Sequence, residues 1–208
     1  MIDDPLPDLP PGAFAKQDTG DDLAFYAPPR LVTHIDEGAV AALTSCYRSL
    51  LPENGRVFDL MSSWVSHLPE DRHFTEVVGH GMNAEELGAN PRLTRWFIQD
   101  LNRNPALPLD DQAFDAVLCC VGVQYLQHPV VVFTEVRRVL AKGAQFIVSF
   151  SNRCFPSKAV AIWRALHANG HAELVQLYME RAGFSDVTLE VLTDGRASDP
   201  LEAVIGRA

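Results

Sequence analysis

The sequence predicts an α/β domain with a doubly wound, mostly parallel seven-stranded sheet whose last strand is reversed. Three observations carry this. Short apolar runs at 57–60, 76–79, 96–98, 114–121 and 145–150 alternate with segments of helical spacing. The run Phe114-Asp115-Ala116-Val117-Leu118-Cys119-Cys120-Val121 is almost continuously apolar, as in a strand buried on both faces. The chain then closes with strand-like segments at 187–192 and 201–206, with Asp194-Gly195 and Asp199-Pro200 between them, which reads as an antiparallel pair.

Residues 1–20 hold Pro5, Pro7, Pro10 and Pro11 among aspartates and glycines, and read as a flexible acidic, proline-rich arm or a strap over the surface. The single domain is expected over 21–208. Phe25-Tyr26-Ala27-Pro28-Pro29-Arg30 is a stiff aromatic and basic segment. Apolar residues from Ile35 to Leu51 recur at helical spacing, with Asp36 as N-cap and Pro52 with Gly55 as the stop. Arg56-Val57-Phe58-Asp59-Leu60 is a strand ending near a carboxylate. The gap from Ser62 to Thr75, broken by Pro69, leaves room for a short helix over Ser63–Leu68 before the strand Glu76-Val77-Val78-Gly79.

Gly79-His80-Gly81 reads as a turn, and Asn83 as the cap of a helix through Leu87. The third strand, Trp96-Phe97-Ile98, runs into Gln99-Asp100-Leu101-Asn102. After the fourth strand, Pro129 opens a helix to Leu140, with Gly143 just beyond. Two more helices are expected over Ser157–Ala168 and Ala172–Ala182, parted by Gly170.

Composition narrows the function. A net charge of −10 with no Lys/Arg cluster argues against nucleic acid. No apolar run approaches the roughly 20 residues that span a bilayer, and the acidic Met1-Ile2-Asp3-Asp4-Pro5 is unlike a signal peptide, so a cytoplasmic location is expected. Cys46, Cys119, Cys120 and Cys154 show no C-x-x-C spacing and read as reduced, and no metal site is expected.

The segment 107–152 resembles the class I S-adenosylmethionine-dependent methyltransferases, in particular the type 11 methyltransferase-domain group. The likeness rests on Leu-Pro-x-x-x-x-x-Phe-Asp-Ala-Val at 107–117, Val-Gln-Tyr-Leu-x-x-Pro at 123–129, and Glu135-Val136-Arg137-Arg138-Val139-Leu140-Ala141-Lys142-Gly143. Arg181-Ala182-Gly183-Phe184 resembles that family's entry into strand six. With the strand order, the likeness covers about 30–208.

The resemblance implies a Rossmann-like methyltransferase fold, S-adenosyl-L-methionine as cofactor and a small-molecule acceptor. Asp59 and Leu60 match the start of the family's first motif, but Met61, Ser63 and Val65 stand where three glycines are expected. The implied cofactor contacts are Asp59, Ser62 and Ser63 on that loop, Gly81 and Met82 after strand two, Asp100 and Leu101 after strand three, and Cys120 and Val121 after strand four. Tyr26 and Arg30 join them, against a plain reading in which Tyr26 packs on the core and Arg30 is solvated.

Gln124 and Tyr125 fall where the family faces its acceptor, and His34 or His128 is a candidate base. Arg153, Phe155 and Trp163 fall in the implied substrate cap. Each has a structural rival: Asp59 can cap a turn, Asp100 can form an Asx turn with Asn102, and Trp163 can be core. The glycine-poor first motif also leaves open a catalytically silent binding or interaction module of the same fold. A nicotinamide oxidoreductase is disfavoured, since no G-x-G-x-x-G follows any strand.

Overall fold

The computed structural model describes residues 6–167 and 170–208. The helices are α1 (Asp22–Tyr26), α2 (Glu37–Leu50), α3 (Ala84–Ala89), α4 (Pro129–Val139), α5 (Ala161–Ala165) and α6 (Gly170–Arg181). The strands are β1 (Arg56–Leu60), β2 (Glu76–Gly81), β3 (Arg95–Ile98), β4 (Phe114–Cys120), β5 (Leu140–Ser151), β6 (Ser185–Thr193) and β7 (Leu201–Arg207). They form one seven-stranded sheet of order β3-β2-β1-β4-β5-β7-β6. β7 runs antiparallel between β5 and β6, and the other pairs are parallel. This is the doubly wound sheet with a reversed last strand that the sequence predicts.

The period-2 alternation of strand side chains divides the core into two layers. Phe58, Val117, Cys119, Phe146 and Val148 face one side, where α4 brings Val132, Phe133 and Val136 and α6 brings Val175 and Tyr178. Val57, Ala116, Leu118 and Ile147 face the other, against Ala39, Leu43 and Tyr47 of α2. The N-cap of α2 is as expected: Asp36 accepts from the Ala39 N–H at 2.9 Å.

Three expectations fail. Residues 63–68 form no helix, so β1 and β2 are joined by an irregular loop. Gly79-His80-Gly81 is not a turn but the end of β2, with His80 buried. Packing demands glycine at 81, where a Cβ would meet the Ser62 backbone carbonyl at 2.5 Å; at Gly79 it would meet the movable end of the Leu93 side chain, Cδ1, at 2.4 Å. The region 157–168 is mostly irregular, with one short helix, α5, starting at Ala161; Ala168 lies outside the described residues.

From Leu6 onward the N-terminal segment lies as a strap across the domain. Leu6 is buried, and Phe14 packs on the core beside Tyr178. The strap is laced to the stretch after β5: Asp18 N–H donates to Ser157 O, while Ala161 and Ile162 donate to Ala15 O and Ala13 O, all at 2.8–2.9 Å. Beneath it, the Lys158 ammonium is fully buried and bridges Asp18 (3.1 Å) and Asp22 (2.9 Å). Asp22 also pairs with Lys16, so the boundary drawn at residue 20 is crossed by a buried ion network.

Candidate functional site

The strand order reverses between β1 and β4, and there a cavity of about 330 Å³ opens beyond the carboxyl ends of β1, β2 and β4. In an open α/β sheet this switch point is where ligands bind, and the volume is within the usual range for one small ligand. Helix α1 and the loop 26–35 roof it, and Arg153-Cys154-Phe155 after β5 forms one wall.

Of the sequence-predicted residues, Tyr26, Arg30, His34, Asp59, Ser62, Ser63, Gly81, Met82, Leu101, Cys120, Val121 and Tyr125 all line this cavity. Asp100 and Gln124 do not. Asp100 turns away into the Asx bond, accepting from Asn102 N–H at 2.9 Å, so the turn-forming reading of this carboxylate is the one seen. Gln124 is buried and donates from Nε2 to Val121 O at 2.7 Å, which makes it a brace for the β4 end. His128 lies outside the cavity walls, and Trp163 is core, edge-on to Phe150.

The turn after β1 works without its glycines. Met61 takes the left-handed conformation (φ 58°) in which a first-motif glycine would be unstrained. Its N–H donates to His80 Nδ1 at 3.2 Å, and Ser62 N–H donates to His80 O at 2.6 Å. The other imidazole nitrogen, Nε2, faces Gln99 O at 2.9 Å, which fixes a neutral ring protonated at Nε2. Burial agrees, pushing His80 down to about 4.

His67 (φ 54°) and Val121 (φ 45°) also hold left-handed backbone on the cavity wall. For a β-branched valine this is strain of order 1–3 kcal/mol, of the kind that gathers at ligand sites. Val121 is held there through both peptide groups, its N–H on Ser149 O (2.8 Å) and its C=O on Gln124.

Asp59 is buried at the cavity edge, and no cation of the described residues comes within 4.0 Å of it. Burial raises its carboxyl to about 6, with the Ser62 and Ser66 hydroxyls pulling the other way; Ser62 Oγ donates to it at 2.6 Å. Glu86 reaches back from α3 to accept from Ser63 Oγ (2.7 Å) and from Arg30 N–H (2.7 Å). Asn83 caps α3 with its oxygen and donates to Tyr26 O and Ala27 O, tying the roof to β2.

The opposite wall is aromatic. Tyr26, Tyr125 and Phe155 pack mutually, and Phe155 N–H donates to the Tyr125 hydroxyl at 2.9 Å. Burial raises the Tyr125 phenol to about 12, so it stays protonated at neutral pH. His34 packs edge-on to Phe155; burial lowers its pKa, with nearby Arg30 adding to that and Glu86 opposing it. Sequence reasoning missed Glu86, His80 and His67 as cavity residues. For Glu86 the signal was present, since an N-cap at Asn83 puts position 86 in the first turn on the capped side.

Residues 65–148 match the family model described as a methyltransferase domain. No curated protein sequence matches the chain. Among solved structures, a protein of Pyrococcus horikoshii OT3 superposes with a TM-score of 0.62 at 18% identity, over 90% of this chain and 99% of that one. An S-adenosylmethionine-dependent methyltransferase of Mesorhizobium loti gives 0.56 at 17% identity, over 81% and 98%. A putative methyltransferase of Haloferax volcanii, in complex with the Trm112 activator, gives 0.64 at 15%, over 83% and 90%. The chain therefore has the Rossmann-like methyltransferase fold, and the family resemblance read from its motifs is the one the model match finds.

Proposed function

We propose that this cavity binds S-adenosylmethionine and that the chain transfers its methyl group to a small-molecule acceptor. One observation supports this above the rest. The cavity lies at the β1/β4 switch point, with an uncompensated carboxylate, Asp59, on its edge and glycines 81 and 122 giving the close approach on either side. The methyltransferase-domain match and the Mesorhizobium loti structural neighbour point the same way.

The residues fit that cofactor in the following way. Asp59 offers its buried charge to an ammonium or sulfonium. Ser62, Ser63 and Glu86 offer hydroxyl and carboxylate partners for a ribose, and Met82 with Leu101 gives an apolar bed for a purine. Bound, the cofactor supplies an electrophilic methyl group on sulfur. What remains for the chain is to hold the acceptor, exclude water and accept a proton. The roof and Phe155 do the excluding, and neutral His34 on the acceptor wall is the base within the cavity.

A second reading, a methyltransferase-fold protein that binds without catalysing, is favoured by Met61. Its Cβ and Sδ lie 2.9 and 3.1 Å from the position a Gly122 Cβ would occupy, so its side chain crosses the gap between β1 and β4. Isothermal titration with S-adenosylmethionine and S-adenosylhomocysteine tests the first reading. Micromolar binding is expected, and neither heat nor thermal stabilisation at millimolar ligand would overturn it. Binding without methyl transfer across an acceptor panel would favour the second.

A further inference from the structure

Among the described residues, the exposed large apolar side chains are Leu31, Val32, Trp96, Ile98, Leu189 and Val191. The last four stand on β3 and β6, the two edge strands of the sheet, where one flank has no neighbouring strand to cover it. Leu31 (51% exposed) and Val32 (57%) have no such reason. They are consecutive on the roof loop, and Val32 also lines the cavity, as does Arg30 on the other side of Leu31. A residue that lines a cavity and is more than half exposed stands at its opening.

The loop is held so as to keep them there. Arg30 N–H is tied to Glu86 at 2.7 Å, and the Val32 carbonyl accepts from Trp64 Nε1 at 3.0 Å, so the stretch is pinned at both ends. Single exposed apolar residues are ordinary, but two adjacent ones fixed on the rim of a ligand cavity form an apolar lip. The wall after β5 adds Phe155, and the Arg153 guanidinium there is already committed to Asp199, at 3.1 and 2.9 Å.

Size decides what meets this lip. About 330 Å³ suits one small ligand, and the reading proposed above gives that space to the cofactor. An acceptor then reaches in with the atom to be methylated, and the rest of its body lies at the opening. We propose that the acceptor is an amphiphile whose methylated end enters beside His34 and Phe155 and whose apolar chain or ring system leaves across Leu31 and Val32. That it is a methyl acceptor rests on the reading above; that its body is apolar rests on the lip.

Calorimetric titration with the straight-chain alcohols from butanol to octanol tests this, on the free protein and on protein saturated with S-adenosylhomocysteine. Wild type, Leu31→Ser and Val32→Thr are compared, with thermal melting to verify folding; Val32→Thr keeps the shape of the side chain. Wild-type affinity is expected to rise roughly threefold per methylene, and octanol to bind roughly three- to tenfold more weakly in each variant. If S-adenosylhomocysteine does not bind, the methyltransferase reading fails, and the series on the free protein still decides whether this cavity takes an apolar ligand. A series with no dependence on chain length, or one identical in wild type and both variants, would overturn the proposal. So would the absence of such a series together with sedimentation as a dimer that Leu31→Ser abolishes, which gives the lip to a second copy of the chain.

Discussion

The Met61 N–H donates to His80 Nδ1 at 3.2 Å, so the end of β2 closes the turn that follows β1. Where the related fold is expected to place small residues on the loop itself, this chain keeps Gly79 and Gly81 on the neighbouring strand and lets an imidazole brace a left-handed methionine. His80→Ala leaves the Met61 N–H and the Gln99 carbonyl without their partner, at about 1–3 kcal/mol each. A loss of roughly 2–4 kcal/mol in urea unfolding is expected, and a change within about 0.5 kcal/mol would mean the brace is dispensable.

Acid sensitivity follows from the same residues. His80 and His67 are both pushed down to about 4 by burial. The unfolded chain binds their protons first, so the stability they protect is present above about pH 6.5 and is lost as pH falls towards 4. Asp59, raised to about 6, has the opposite sign: its contribution is present below about pH 4 and is lost as pH rises through 6. Asp59→Asn is therefore expected to gain of the order of 1–3 kcal/mol at pH 8 and to leave a steeper acid limb. The same variant should bind S-adenosylhomocysteine more weakly. Denaturation curves at pH 5 and pH 8 check the first claim, and a variant less stable at pH 8 would refute the assignment of a buried, uncompensated charge.

Met61→Gly addresses the two readings of the cavity directly. Glycine takes φ 58° without the Cβ strain and clears the side chain from Gly122. Tighter S-adenosylhomocysteine binding, by several-fold, is expected if the methionine obstructs the crevice. Weaker binding would show instead that the thioether is a ligand contact. Gly81→Ala is the control, since its Cβ would strike the Ser62 carbonyl at 2.5 Å; loss of both stability and binding is expected there.

The strands and the helices α2 and α4 were legible because their signals are local: apolar period, an aspartate cap, a proline at the first turn. Much of the cavity wall was legible through the strand ends, since a crevice lies wherever strand order reverses. His80 was misread because paired glycines punctuate turns more often than they admit a neighbouring backbone, and sequence does not reveal that Leu93 and Ser62 press on them. The absent helix at 63–68 was expected from crossover geometry; instead Asn90 satisfies Ser63 O and Ser66 Oγ across the loop, a long-range bond no periodicity encodes. Asp100 and Gln124 lie off the cavity wall for a common reason. Strand-end position was right, but side-chain direction depends on local hydrogen bonds to Asn102 and Val121.

The strap, one of the two readings that its composition allowed, carries a latch that gives the last prediction. Lys158 is fully buried, donates to Gly20 O at 3.0 Å and bridges Asp18 and Asp22, while its ammonium lies 5.0 Å from the Phe25 ring centroid. Burial works against its charge, and the two carboxylates outweigh that, leaving its pKa raised. Removing Lys158 leaves Asp22 held by Lys16 alone and Asp18 facing solvent, so the cost falls below the roughly 3–5 kcal/mol of breaking a fully buried pair. Because the lost contacts join Lys158 to Asp18, Gly20 and Asp22, the damage should be local first. Lys158→Met is expected to melt earlier and to be cut by protease within residues 6–20 before the rest of the domain. Phe25 and Tyr26 follow the strap directly, so the same variant should also bind ligand more weakly at the roofed cavity. An uncut strap with wild-type melting would show that the backbone bonds to Ser157, Ala161 and Ile162 hold it unaided.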